Sequence, residues 1–237
     1  MRKSILFAAT AMLAAPAAAA DIQIQVQGPV VEMTVNEVVQ SPPDTATVNA
    51  GVTVRAPTAV EAMRQNAEAM NRVIARLRSL GIERKDIQTS SINLNAQYQY
   101  TNEGTPPRFL GYDAGNQVTV TLRKLDRTGA VLDALVAAGA NNINGPSFSL
   151  EADAPAKSAA RKAAFARAEA QAREYARLAG FQNLRLLEVS ESFTGRGPIP
   201  FARDAIQVTA SAAENTSVEP GQVGTGVTVT MKYEMTR

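Results

Sequence analysis

The sequence predicts an α+β fold. Three helices pack on largely antiparallel sheets in the order β-β-α-β-β-α-β-α-β-β. Three observations carry this. Short runs alternate apolar and polar residues, the period of a half-buried strand. Three longer runs repeat apolar residues every three or four positions, the period of a helix. Each helical run ends in glycine and is followed by a strand, at Leu80-Gly81-Ile82, Ala138-Gly139-Ala140 and Ala179-Gly180-Phe181.

Residues 1–20 stand apart. Met1-Arg2-Lys3 precedes an apolar run, Ile5 to Leu13, and a small-residue exit, Ala18-Ala19-Ala20, just before Asp21. This is the layout of a cleavable secretory signal peptide. Its apolar core is shorter than the roughly 20 residues a membrane span needs. The mature chain is expected to begin near Asp21 and to work in the periplasm. No later apolar stretch is long enough to anchor it in a bilayer.

The strands follow. Ile22, Ile24 and Val26 alternate with glutamines, and Val31, Met33 and Val35 continue the pattern beyond Gly28-Pro29. Ser41-Pro42-Pro43-Asp44 is a turn, and Thr45 to Val54 returns as a strand. Thr58-Ala59-Val60-Glu61 fits a capping box at the start of the first helix. Its expected apolar face is Val60, Met63, Ala67, Met70, Ile74 and Leu77.

Ile87 to Tyr100 reads as a long strand. A hairpin at Thr101 to Arg108 joins it to Phe109–Tyr112, and Val118, Val120 and Leu122 alternate beyond. Asp126 is the expected N-cap of a second helix, Thr128 to Ala138. Asn141 to Pro146 is read as a turn before the strand Ser147–Leu150. Pro146 removes a backbone donor there and is expected to shorten that strand.

Asp153 and Pro155 open the third helix. Its stripe is read as Ala160, Ala164, Ala168, Ala172, Tyr175 and Ala179, with Phe165 and Leu178 beside it. Leu184 to Val189 and Val227 to Met231 close the chain as paired strands. Residues 194–224 between them form a long insertion. The domain plan is therefore a leader, 1–20, and one domain, 21–237, with a candidate sub-boundary at 151–155.

Composition limits the chemistry. The chain has 24 Lys+Arg and 22 Asp+Glu, and loss of Arg2 and Lys3 with the leader makes the mature chain neutral. Nucleic-acid binding, which needs clustered surface cations, is not expected. There is no Cys, His or Trp. Disulfides are excluded, and so are nucleophilic pairs built on His or Cys. Zinc sites rest mainly on the same residues. No phosphate-cradling glycine motif or calcium loop is present. The expectation is no catalytic residues, no cofactor and no metal. Asp113, Glu103 and Glu151 are isolated in sequence, so a two-carboxylate hydrolase ranks last. Five mature methionines read as core filler rather than as oxidant scavengers.

Four aromatics gather around the hairpin: Tyr98, Tyr100, Phe109 and Tyr112. They fit core packing, a subunit contact, or a platform for carbohydrate or lipid. As candidate oligomer contacts they suit a neutral chain whose surface tolerates self-association. The 194–224 insertion is a second candidate contact. Asn141, Asn142, Asn144 and Gly145 suit tight-turn geometry better than a ligand site. The cationic residues of the third helix, offset by Glu169 and Glu174, suit a solvated face better than a lipid or partner contact.

These segments resemble a known family. Pro43-Asp44-Thr45-Ala46, Glu61-Ala62, Ile87-Gln88-Thr89 with Leu94 and Tyr98, and Gly111-Tyr112-Asp113-Ala114 with Asn116 are in its order. Gly139-Ala140-Asn141-Asn142-Ile143-Asn144-Gly145 with Phe148, Ala160-Arg161-Lys162-Ala163-Ala164, and Glu219-Pro220-Gly221 complete it. The chain is similar to the SIMPL-domain (DUF541) family over nearly all of its mature length. The resemblance implies a periplasmic or outer-membrane-associated protein without assigned catalytic residues. It also implies self-assembly into rings and a part in oxidative-stress tolerance. The alternative is a periplasmic module that binds an apolar or envelope ligand, its site lying between helix and sheet.

Overall fold

Among the described residues the alternating runs become seven strands divided between two antiparallel sheets. The structure is a computed structural model; it describes residues 25–100, 106–198 and 216–237. The leader at 1–20, most of the strand expected at 22–26, the hairpin tip with Glu103, and residues 199–215 lie outside these. Gln25 to Pro29 is not strand.

The elements are β1 (Val30–Ser41), β2 (Thr45–Ala56), α1 (Ala59–Ser79), β3 (Ile87–Gln99), β4 (Arg108–Leu122), α2 (Thr128–Ala137), β5 (Asn142–Ser149), α3 (Ala154–Leu178), β6 (Asn183–Pro198) and β7 (Val223–Thr236). This is the predicted order. One sheet runs β3-β4-β2-β5 and the other β1-β7-β6. The chain passes between sheets at the Pro42–Asp44 turn and again at Leu150–Asp153.

The four-stranded sheet is covered by α1 and α2. Val48, Val118 and Val120 face Met70, Val73, Leu77 and Leu135, all buried. The three-stranded sheet is covered by α3. Its core sets Ala160, Ala164, Ala168 and Ala172 against Val35, Val227, Val229, Met231 and Tyr233. Val223, at the start of β7, belongs to the first core. The arm before it also reaches that layer. Thr216 binds the Asp133 carboxylate of α2 through its amide (3.0 Å) and its hydroxyl (2.6 Å).

All three helices end as the glycines foretold. Gly81, Gly139 and Gly180 have φ of 84°, 105° and 81°. Beyond each, the next residue bonds back five positions: Ile82 to Leu77, Ala140 to Leu135 and Phe181 to Ala176. This paired closure satisfies carbonyls that the helix leaves orphaned, and it needs a left-handed residue.

Several local expectations are corrected. The buried seam of α1 is Ala62, Asn66, Ala69, Met70, Val73 and Leu77; Val60, Met63 and Ala67 are exposed. Only half of the capping box forms. Thr58 Oγ1 accepts from the Glu61 amide, but the Glu61 carboxylate turns to Arg64 and Gln65. The Arg64 hydrogen bond holds Glu61 down to about 2. Asp126 does not cap α2, because Leu125–Arg127 is a 3-10 turn and the helix starts after it. Asp153 likewise caps nothing with its side chain and pairs with Lys157 at 2.7 Å instead.

In α3 the buried ridge is Ala156, Ala160, Ala164, Ala168, Ala172 and Ala176, so Tyr175 and Ala179 were misplaced. A strict step of four gives one inclined ridge, which suits packing along a twisted sheet. The 194–224 insertion is shorter than expected. The β6–β7 ladder continues to Pro198 opposite Val223.

Candidate functional site

The candidate site is built on the β3–β4 hairpin. The ladder keeps register from Ser91 opposite Gln117 to Gln97 opposite Gly111, then jumps so that Tyr98 faces Phe109. Leu110 is the extra residue of that bulge. Gly111 makes it possible: its φ is 125°, and a Cβ there would lie 2.7 Å from the Ala56 carbonyl. The bulge re-aims Phe109 onto the face already occupied by Tyr112.

Three of the four candidate aromatics therefore meet. Tyr98 and Phe109 stand edge to face at 5.5 Å, and Phe109 and Tyr112 at 5.3 Å. Each such pair contributes about 0.5–1.5 kcal/mol beyond area burial. Tyr112 rests on Ala56, Ala62 and Ala114, under the first turn of α1. Core packing is not what holds the others. Tyr98 remains 47% exposed, Phe109 44% and Leu110 41%. Tyr100 is 80% exposed and outside the trio.

The asparagine segment is not a turn, which corrects the expectation. Asn142 and Asn144 lie within β5, opposite Gly51 and Asn49 of β2. Asn141 extends that ladder with its side chain. Its Oδ1 accepts from the Thr53 amide and its Nδ2 donates to the Thr53 carbonyl, both at 2.8 Å. Gly145, with φ of 107°, sits where the register shifts between Thr47 and Asn49. The strand therefore runs through Pro146 on a sheet edge and is not shortened. The four residues build strand pairing, and beside them Arg55 grips Asp113 bidentately at 2.6 and 2.7 Å. That bond keeps the Asp113 carboxyl below its usual range.

The other isolated carboxylate is also held. Arg123 bridges Glu151 and Asp86, each at 2.6 Å. Among the described residues no group of three or more Asp or Glu is placed to hold a metal ion. No helix among them is long and apolar enough to cross a membrane.

Two polar anchors were missed. Asn66, buried in the α1 seam, donates to the carbonyls of Val52 (2.7 Å) and Ala114 (2.9 Å). A polar residue at a seam position was the available signal. Glu234 on β7 accepts from the amides of Gln27 (2.6 Å) and Gly28 (2.7 Å) and from Arg185 (2.6 Å). Arg185 also holds the Gln25 carbonyl. Nothing in the local sequence announces that clamp, whose carboxylate and backbone amides are more than 200 positions apart.

The two amides, then Arg185, depress the Glu234 carboxyl below its ordinary 4.5. Its contribution to stability is therefore complete above that value and is lost as pH falls through the lower, folded one. Acidification through that lower value is expected to release residues 25–28, read as a loss of amide protection at Gln27 and Gly28 relative to the intrinsic exchange rate at each pH. Glu234→Gln is expected to show that loss of protection already at pH 7.

Residues 31–233, from β1 into β7, match the SIMPL family, described as a protein of unknown function (DUF541). This chain belongs to the SIMPL family. It is 34% identical to the 26 kDa periplasmic immunogenic protein of Brucella melitensis, across 93% of this chain and 90% of that one. The Brucella abortus protein of the same name is 33% identical over the same shares. Uncharacterized protein YggE of Escherichia coli K12 is 38% identical over 138 residues, 58% of this chain and 55% of YggE. The SIMPL segments quoted from the sequence acquire physical roles here. Gly111 permits the bulge, Ala114 seats α1, Asp113 holds Arg55, and Asn141 extends the β2–β5 ladder.

Proposed function

We propose that this SIMPL protein is exported, loses residues 1–20, and works in the periplasm as a non-enzymatic homo-oligomer. The observation that carries the reading is the Tyr98–Phe109–Tyr112 cluster. Large rings ordered against one another yet about half open to solvent are the composition of an interface core without its partner. The leader-like N-terminus and the periplasmic names of the Brucella relatives support the location. The absence of His and Cys from the sequence supports a role in contact rather than turnover. Closure into a ring, association with the envelope, and a part in oxidative-stress tolerance are the family implications that such an assembly would serve.

The test is Tyr98→Ser with Phe109→Ser in the mature chain, followed by size-exclusion chromatography with light scattering. The double variant is expected to shift toward monomer while keeping its circular dichroism. A variant that assembles as wild type would remove the cluster from the interface.

A second reading, a binding module, has one observation behind it. A cleft of about 310 Å³ lies at the end of α1, lined by Leu80, Ile82, Leu122 and Val131 and by charged groups of both signs, Asp86 and Arg127 among them. Native mass spectrometry of protein taken from its host separates the readings: a retained small molecule favours the module, an empty oligomer the first.

A further inference from the structure

Among the described residues the two sheets have four edges, and three are protected. β1 carries Glu32 and Glu37, and β6 carries Arg185, Glu188 and Glu191. β5 is eight residues long, contains Gly145-Pro146, and lies against β6. Charge, proline, shortness and cover are the devices that stop a sheet edge from recruiting another strand. β3 has none of these; its one irregularity is the bulge at Ser90, beyond which Ser91–Gln97 pairs without interruption. It is 13 residues long, without a charged residue or proline. Among the described residues only β4 lies beside it.

Its two faces are also sorted. Opposed residues of an antiparallel ladder project to the same side. Leu94 opposes Ala114 and Ala96 opposes Tyr112, so Ile92, Leu94, Ala96 and Tyr98 share the face that α1 covers further in. Helix α1 stops short of them: Ile92 is 59% exposed and Leu94 40%. The other face carries Ser91, Asn93, Asn95 and Gln97. Asn93 lies over Gly115 there, its Oδ1 2.5 Å from where a Cβ would stand.

We infer that β3 pairs antiparallel with β3 of a second copy, joining two four-stranded sheets edge to edge. This rests on the self-association reading and names its contact. The strand is self-complementary. Between the register shifts after Thr89 and after Gln97 there is an uninterrupted stretch, Ser91–Gln97, centred on Leu94. A two-fold axis through Leu94 sets Leu94 against Leu94 and Ile92 against Ala96 on the apolar face. On the other face it sets Asn93 against Asn95 and Ser91 against Gln97. Apolar meets apolar, amide meets amide, and no like charges meet. The same axis brings both Tyr98–Phe109 clusters to the apolar side of the joint.

The absence of cysteine from the chain makes the test clean. Residues opposed across an antiparallel pair have Cα atoms about 4.5–5.5 Å apart, within the span of a disulfide. Single Leu94→Cys is expected to form a disulfide-linked dimer under mild oxidation, many times faster than Glu32→Cys on β1. Leu94→Lys and Leu94→Glu, each alone, put like charges face to face and are expected to raise the dissociation constant at least about tenfold. Mixing the two variants is expected to restore association. Leu94 is partly exposed, so both should keep the wild-type circular dichroism. If wild type associates but Leu94→Cys links no faster than the control, and the charge variants associate like wild type, the β3 pairing is overturned and self-association stands. If wild type remains monomeric at every concentration, both fall.

Discussion

Leu77→Ala lowers the melting temperature of the mature chain by about 4–20 °C in scanning calorimetry. The range follows from about 2–5 kcal/mol for truncating a buried leucine and about 2–4 °C per kcal/mol for a domain of this size. Leu77 has no exposed surface and packs in the core with Val73, Val118 and Val120. It also closes α1, because its carbonyl accepts from Ile82 beyond Gly81. The alanine leaves a cavity beneath that turn. Val60→Ala removes an apolar side chain of the same helix, and is expected to change stability by less than about 0.5 kcal/mol, because Val60 is 80% exposed. The pair separates burial from apolar character.

Ala168→Leu is the second large effect and has the opposite cause. Ala168 is fully buried on the ridge of α3, between Ala164 and Ala172, in the core that contains Val229 and Met231. The absence of larger side chains lets the helix approach the sheet closely. Three added carbons must lift the helix or force the leucine off its rotamer, at about 1–3 kcal/mol. Because the ridge is continuous, a lift at Ala168 loosens its neighbours too. Calorimetry should show the lowered transition, and hydrogen exchange should quicken along β1 and β7 but not along β4. Tyr175→Ala and Leu178→Ala, which lie off the ridge, are expected to be near neutral.

Both predictions depend on positions that the sequence shows only in part. Helix and strand identity was legible because periodicity and glycine punctuation are local. Gly81, Gly139 and Gly180 ended helices where a left-handed residue was required. The buried faces were less legible. In α1 the eye follows bulk, Val60 and Met63, while the sheet selects Ala62, Asn66 and Ala69, which allow close approach. In α3 the stripe left the alanine ridge at Tyr175 for the same reason. The Asn141–Gly145 segment looked like a turn because asparagine and glycine favour turns. The tertiary pairing with β2 overrides that preference, through a side chain that substitutes for backbone and one bulge. Three of the four hairpin aromatics meet, since a hairpin places its arms together. The bulge that turns Phe109 toward Tyr112 needed the Ala56 contact to be visible. The Glu234 clamp joins opposite ends of the chain and has no local pattern.

The central proposal is that residues 21–237 act as an assembly of copies of themselves. Sedimentation equilibrium of that chain over a concentration series, at near-neutral pH and moderate salt, measures this directly. The account predicts a mass that is a multiple of the single chain and falls toward it on dilution or on Leu94→Lys substitution. A single-chain mass at every concentration would contradict it.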